Sequence, residues 1–277
     1  YGLVNRLTAL SERQWTCLIL DEAQAIKNPG VQQTKAVKKL HARIRIAMTG
    51  TPIENELGNL WSLFDFLNKG LLGTSKEFTA YTKGLSDTPE GYASLKRMVS
   101  PFILRRLKTD KTIISDLPDK VEMTEYIGLT KKQITLYNKA VADLARNLKE
   151  VEKSRRSSLI LDSILRFKQL CNHPDQYNGQ STYNPSDSGK FEALAEICET
   201  IRDKRERVLV FTQYKEIVAP LDDYLASIFG RRGLILHGEV RPRDRQALVE
   251  KFNGEEYVPY MVLTLKAGGT GLNLTGA

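Results

Sequence analysis

Three cysteines and three histidines are all that 277 residues provide, and that scarcity excludes several chemistries at once. Cys17, Cys171 and Cys198 are far apart and no pair has metal-ligand spacing, so neither a zinc site nor a disulfide framework is expected. Cys17 in an apolar run and Cys198 on an apolar helix face read as small buried hydrophobes. His41, His173 and His237 form no cluster, and a reduced, intracellular compartment fits best. No apolar run approaches the roughly 18 residues of a membrane-crossing helix, so a membrane is not an expected partner. No stretch fits the phosphate loop of Gly, four residues, Gly, Lys and Ser or Thr. Gly189-Lys190 lacks the first glycine and is followed by Phe191.

What is abundant is positive charge. Lys and Arg number 41 against 33 Asp and Glu, a net +8. Such a surplus leans toward polyanions, because each neutralised phosphate releases counterions. The length accommodates two domains, each with its own core.

The run Thr16 to Leu20 is apolar throughout, as suits a parallel strand covered on both faces. A basic helix over Val31 to Leu40 and a second strand over Ile44 to Met48 follow, an alternation that predicts an α/β sheet. Residues 57–72 read as a helix, with Leu60, Leu63, Phe64 and Leu67 on one face. Residues 130–170 are charged and helical. The Asn-, Ser-, Gly- and Pro-rich segment 178–189 is the linker candidate. Beyond it, Phe191, Leu194, Ala195, Cys198 and Ile201 have helical spacing. Strands are expected at Val208 to Phe211, Leu234 to Leu236 and Tyr260 to Thr264, with a helix over Arg243 to Phe252.

The chemistry gathers at strand ends. Asp21-Glu22-Ala23-Gln24 follows the first apolar run directly. Transfer of a phosphoryl group to water needs Mg²⁺ on hard oxygens and a group that orients and deprotonates the water. Asp21 can hold the metal through its water shell, and Glu22 can be the base. Alone, the dipeptide reads more simply as two acids closing a strand. Met48-Thr49-Gly50-Thr51-Pro52 closes the second strand, and open α/β sheets bind ligands at those ends. Alone, it reads equally as an ordinary Gly-Thr-Pro turn.

Order and context decide between these readings. Residues 21–28 resemble the second helicase motif of SWI/SNF-type ATPases, and Met48 to Ile53 resemble that family's Leu-Thr-Gly-Thr-Pro-Ile run. The run Glu54 to Leu67 continues the likeness. Pro101 to Arg106 with Leu117 to Lys120 resemble the family's marker block between lobes, and Leu170 to Pro174 resemble the end of its second-lobe helical insertion. Val208 to Tyr214, Leu236 to Asn253 and Leu263 to Leu274 resemble its fourth and fifth motifs, so the likeness covers essentially the whole chain.

The resemblance implies ATP and Mg²⁺ as cofactors, duplex DNA as partner and DNA-bound proteins as remodelling targets. It implies that Asp21 holds Mg²⁺, that Glu22 activates water, and that Gln24, Thr49, Gly50 and Thr51 couple nucleotide state to closure. Gly269 and Gly271 would sit by the nucleotide; Thr212, Gln213, Lys266 and Thr270 would contact the DNA backbone. It places the phosphate loop upstream of residue 1 and the sixth motif beyond Ala277, so the chain by itself is expected to be inactive. Location follows from source: nucleoid-associated in a prokaryote, nuclear in a eukaryote.

The fold expected is two RecA-like α/β lobes with helical insertions: residues 1–128 for the first lobe, 129–177 a helical insertion, 178–189 a linker and 190–277 the second lobe. A strand-separating helicase and an inactive DNA-binding scaffold are the alternatives. His173 reads as a helix cap. Arg105 and Arg106 read as contacts to DNA or between lobes, and Arg241, Arg243, Arg245 and the Lys153, Arg155, Arg156 run as solvated surface.

Overall fold

The computed structural model describes every residue except 8, 52–55, 86–89, 108–109, 113–119 and 269–270. The chain divides into two compact units, Tyr1–Lys120 and Val121–Ala277. Residues 121–128 thus group with the second. Among the described residues no helix is long and apolar enough to cross a membrane.

In the first unit a short helix α1 (Ala9–Glu12) leads into β1 (Gln14–Leu20). A 3-10 turn (Ala23–Ile26) and α2 (Gln32–Lys38) then cross to the parallel strand β2 (His41–Ala47). Leu20, Ala23, Ile26, Val37, Leu63 and Phe66 form the core beneath this pair. Helix α3 (Leu57–Leu67) serves two cores at once. Leu63 and Phe66 face the sheet, while Leu60 and Phe64 pack with Phe78 of α4 (Ser75–Lys83) and with Leu95 and Val99 of α5 (Ala93–Val99). Two successive faces of one helix therefore join the sheet to the helical protrusion.

Two expectations need correction here. The helix predicted to run to Leu72 ends at Leu67: the N–H of Asn68 closes the last turn on Phe64 O at 2.7 Å, and Gly70 has φ of 91°, which a helix cannot continue. Cys17 is exposed, not buried, and β1 is covered on one face only. The register pairs Cys17 with Ile44 and Ile19 with Ile46, so this face presents a stripe of apolar side chains. Ile19, Ile44 and Ile46 are 55%, 48% and 43% exposed.

The second unit opens with two long helices, α6 (Lys131–Glu150) and α7 (Lys153–Asn172), and the short α8 (Pro174–Asn178). Thr130 and Gln133 form a capping box that starts α6. Then come α9 (Gly189–Asp203), β3 (Val208–Thr212), α10 (Val218–Phe229), β4 (Leu234–Leu236), α11 (Pro242–Asn253), β5 (Tyr260–Thr264) and the single turn α12 (Leu265–Gly268). The three strands are parallel in the order β3-β5-β4, so β5 is central. Its side chains alternate between two cores: Tyr260 and Val262 with Phe191, Cys198, Leu221 and Leu225, and Met261 and Leu263 with Leu236, Phe252 and Val258. Burial pushes the Cys198 thiol up to about 11, as a thiolate has nothing to solvate it there.

Segment 178–189 is tied down along its length. The His173 ring accepts from the Asp175 N–H at 3.0 Å as cap of α8, and its other nitrogen meets Asn184 O at 2.9 Å. Asp175 accepts the N–H of Tyr183 at 2.8 Å, Lys132 pairs with Asp187 at 2.6 Å, and Ser188 donates to Asn172 O at 2.5 Å. The buried amide of Gln133 donates to Leu170 O at 2.9 Å and Cys171 O at 3.3 Å. It accepts from the N–H groups of Thr130 at 3.1 Å and Gly189 at 3.4 Å. One glutamine thus fastens the start of α6 and the end of α7 to the start of α9, and with it the helical layer to the sheet.

Candidate functional site

In the first unit the tips of β1 and β2 stand side by side. The Met48 N–H donates to Leu20 O at 2.8 Å, and the Ala23 N–H returns a bond to Met48 O at 2.9 Å. This stitching brings Asp21, Glu22, Gln24, Thr49, Gly50 and Thr51 to one edge. Asp21 and Glu22 are exposed. The Asp21 carboxylate accepts the N–H of Glu22 at 2.9 Å, and Tyr1 donates its hydroxyl to Asp21 O. Burial, and then the charges of Asp21 and Glu22, push that tyrosine hydroxyl up.

Glu22 has φ 48° and ψ 52°, the left-handed region that a side chain with a Cβ enters at a cost of about 1–2 kcal/mol. The reward is direction. The side-chain amide of Gln24 donates to the Glu22 carboxylate at 2.5 Å, and its oxygen accepts the Thr49 hydroxyl at 2.7 Å. Thr49 Oγ1 in turn accepts the Thr51 N–H at 3.1 Å. Thr49 donates to the oxygen of the Gln24 amide and that amide donates to the Glu22 carboxyl group, which fixes the amide in one orientation. One amide therefore reads the second strand tip and aims the carboxylate of the first. A Cβ added to Gly50 would meet nothing within 4 Å, so local sterics do not demand glycine at that position.

In the second unit the register sets Thr212 beside Thr264, so the chain leaves β3 and β5 at the same level. Thr212 is buried, and its hydroxyl accepts the Tyr214 N–H at 3.3 Å within its own turn. Gln213 and Lys266 are both exposed at this edge. A Cβ at Gly268 would lie 2.7 Å from the Phe211 ring, so a side chain there needs that half-exposed ring to move. Gly271 adopts φ 57°, which favours glycine. Gly269 and Thr270 lie outside the described residues.

The third tip, after β4, adds a pair that sequence reading missed. Lys215 and Glu239 meet at 2.5 Å. They are 24 residues apart with no spacing rule to link them; only the strand order brings them together. Among the described residues no group of three or more His, Cys, Asp or Glu is placed to hold a metal by itself.

Parallel α/β units with acids and hydroxyls at the carboxyl ends of their strands have the layout of open α/β folds that bind ligands there. The SNF2-related domain profile matches residues 2–176, and the helicase conserved C-terminal domain matches 189–277. The chain belongs to the SNF2-related family. It is 40% identical over 283 residues to the candidate ATP-dependent helicase/translocase YwqA of Bacillus subtilis, covering 100% of this chain and 31% of that protein. With the DNA repair and recombination protein RAD26 of Saccharomyces cerevisiae it shares 32% identity, covering 100% of this chain and 27% of the relative.

Among solved structures, the Sulfolobus solfataricus SWI2/SNF2 ATPase core domain superposes with a TM-score of 0.54 at 39% identity, covering 100% of this chain and 58% of that one. The same core in complex with double-stranded DNA gives 0.51 at 37% identity, covering 95% and 57%. The expected fold holds: both units are α/β with parallel sheets, and the neighbours are two-lobed ATPase cores of this family. The chain spans about a third of the length of YwqA and about a quarter of RAD26.

Proposed function

We propose that this chain is the part of an ATP-driven duplex-DNA translocase that handles the metal and attacking water on its first unit and grips the DNA backbone on its second. The observation that carries the reading is the hydrogen-bonded chain from Thr49 through Gln24 to Glu22. Two acids that merely closed a strand would have no need of a left-handed backbone and an amide clamp.

The residues fit Mg²⁺ held through water. That ion keeps most of its water shell and takes one or two carboxylates, which Asp21 at an exposed strand tip provides. Bound Mg²⁺ would neutralise charge on the phosphate oxygens. Glu22, aimed by Gln24, accepts the proton of the attacking water. Thr49 and Thr51 lie on the same edge, so a phosphate drawing on those groups alters the bond that orients Gln24; Gly50 leaves the turn open to that approach. Gly269 and Gly271 belong to the loop expected beside the nucleotide.

On the second unit Gln213 and Lys266 take backbone phosphates, Thr212 sets the turn that presents Gln213, and Thr270 completes the expected contacts. Contacts of this kind position a protein on DNA without reading sequence. Net charge +8 and the likeness to a core solved in complex with double-stranded DNA support this partner. Displacement of DNA-bound proteins is the action we assign to the movement.

The test is ATP hydrolysis by the full-length protein with and without duplex DNA. Duplex is expected to stimulate turnover. Glu22→Gln is expected to lower it by about 10²–10⁴-fold, the usual contribution of a general base, with nucleotide binding retained. Turnover indifferent to DNA, or a Glu22→Gln protein that still hydrolyses normally, defeats the proposal.

A further inference from the structure

We infer that Glu239 is a built-in counterion that holds Lys215 away from the DNA backbone, so that this pair sets how tightly the second unit grips duplex. The inference rests on the DNA reading above and names a residue pair outside it. In the order β3-β5-β4, the tips of β3 and β4 flank the tip of β5. Lys215 stands three residues past the end of β3 and Glu239 three past the end of β4, and their 2.5 Å contact links the two outer tips. The turn that carries Glu239 is set by its own N–H on the His237 ring at 3.3 Å and by the Val240 N–H on His237 O at 3.0 Å.

Charge accounting makes the pair unusual for its place. The other cations near this edge are Lys266, which is exposed, and three arginines engaged elsewhere. Arg241 and Arg243 pair with Asp244 at 2.9 and 3.4 Å, and Arg245 donates to the carbonyls of Val240 at 3.0 Å and Gly238 at 3.2 Å. An acid here repels phosphate and also occupies a lysine that phosphate would use. The hydrogen bond and charge of Lys215, with a smaller effect of His237, hold the Glu239 carboxyl below the usual range, so it stays ionised.

The side chains of Lys215 and Glu239 are 53% and 70% exposed. An ion pair so open to water adds little to stability, so removing the acid frees the lysine without loosening the fold. The acid weakens each grip and hastens each release, which suits a protein that must let go of the backbone at every step.

The experiment is a salt titration of full-length protein binding to a fluorescent duplex. For Glu239→Gln the slope of log affinity against log salt is expected to steepen by about 0.9, the value of one added phosphate contact, with several-fold tighter binding at low salt. Lys215→Gln is expected to keep the wild-type slope, because that lysine is already occupied. The double variant is expected to lose the gain. An unchanged slope in Glu239→Gln overturns the inference alone, as does a gain that survives in the double variant. A wild-type protein with no salt-dependent duplex binding overturns the DNA reading beneath it.

Discussion

The sheets of the two units are built from the same kind of sequence and end in different surroundings. β1 and β5 are both short apolar runs in parallel pairings. In β5, Tyr260, Met261, Val262 and Leu263 are all 0% exposed, with helices over both faces and a strand on each edge. In β1 only Leu20 is buried, and the face with Cys17 and Ile19 is open. An apolar run therefore specifies a parallel strand, while what lies over it is decided by layers elsewhere in the chain. The tips differ in the opposite sense. The more exposed sheet carries the tighter polar network, and the fully covered sheet presents loose, exchangeable charges.

The largest expected difference between the sheets is chemical. With its thiol raised to about 11, Cys198 has only about one thiolate in a thousand at pH 8, and it is buried as well. Alkylation followed by mass spectrometry should label exposed Cys17 within minutes and leave Cys198 unlabelled until denaturant is added. Rapid labelling of Cys198 in the native protein would erase the contrast.

Next comes packing. Leu263→Ala should cost about 2–5 kcal/mol, as for other fully buried leucines, whereas Ile19→Ala on the open face should cost less than about 1 kcal/mol. Denaturation midpoints of the two variants measure the comparison, and equal losses would mean that the open face of β1 is covered. The smallest effect concerns the glycines at the tips. Gly268→Ala drives a methyl into the Phe211 ring and should cost about 1–3 kcal/mol, while Gly50→Ala should leave thermal stability nearly unchanged. A damaging Gly50→Ala would locate a packing constraint at that turn.

Much of this was legible from residue order. Strands β1 to β5 fall where the apolar runs lie, and the likeness to SWI/SNF-type ATPases was readable from Asp21 to Asn28 and from Leu263 to Leu274. Asp21, Glu22, Thr49 and Thr51 could be brought to one edge because parallel strands end on the same side. What Gln24 does there was not legible in detail. Its bond to Thr49 crosses 25 residues, and only coordinates show that one amide spans both tips. The Lys215–Glu239 pair was hidden for the same reason.

Segment 178–189 illustrates another limit. Composition identifies polar, turn-forming residues, but a loop and a staple have the same composition. The difference is whether Asp187, Ser188 and Asn184 find partners, and here Lys132, Asn172 and His173 supply them. Cys17 was misplaced because hydrophobicity records a preference for burial and not the presence of a covering layer.

The left-handed backbone at Glu22 carries a consequence for how this protein can change. Glycine or asparagine at that position would relieve the dihedral cost and raise the melting temperature, so selection for robustness alone favours losing the glutamate. Its retention would then mark a lineage under pressure to keep turning over nucleotide, and a drift to glycine would mark one that had been released from it.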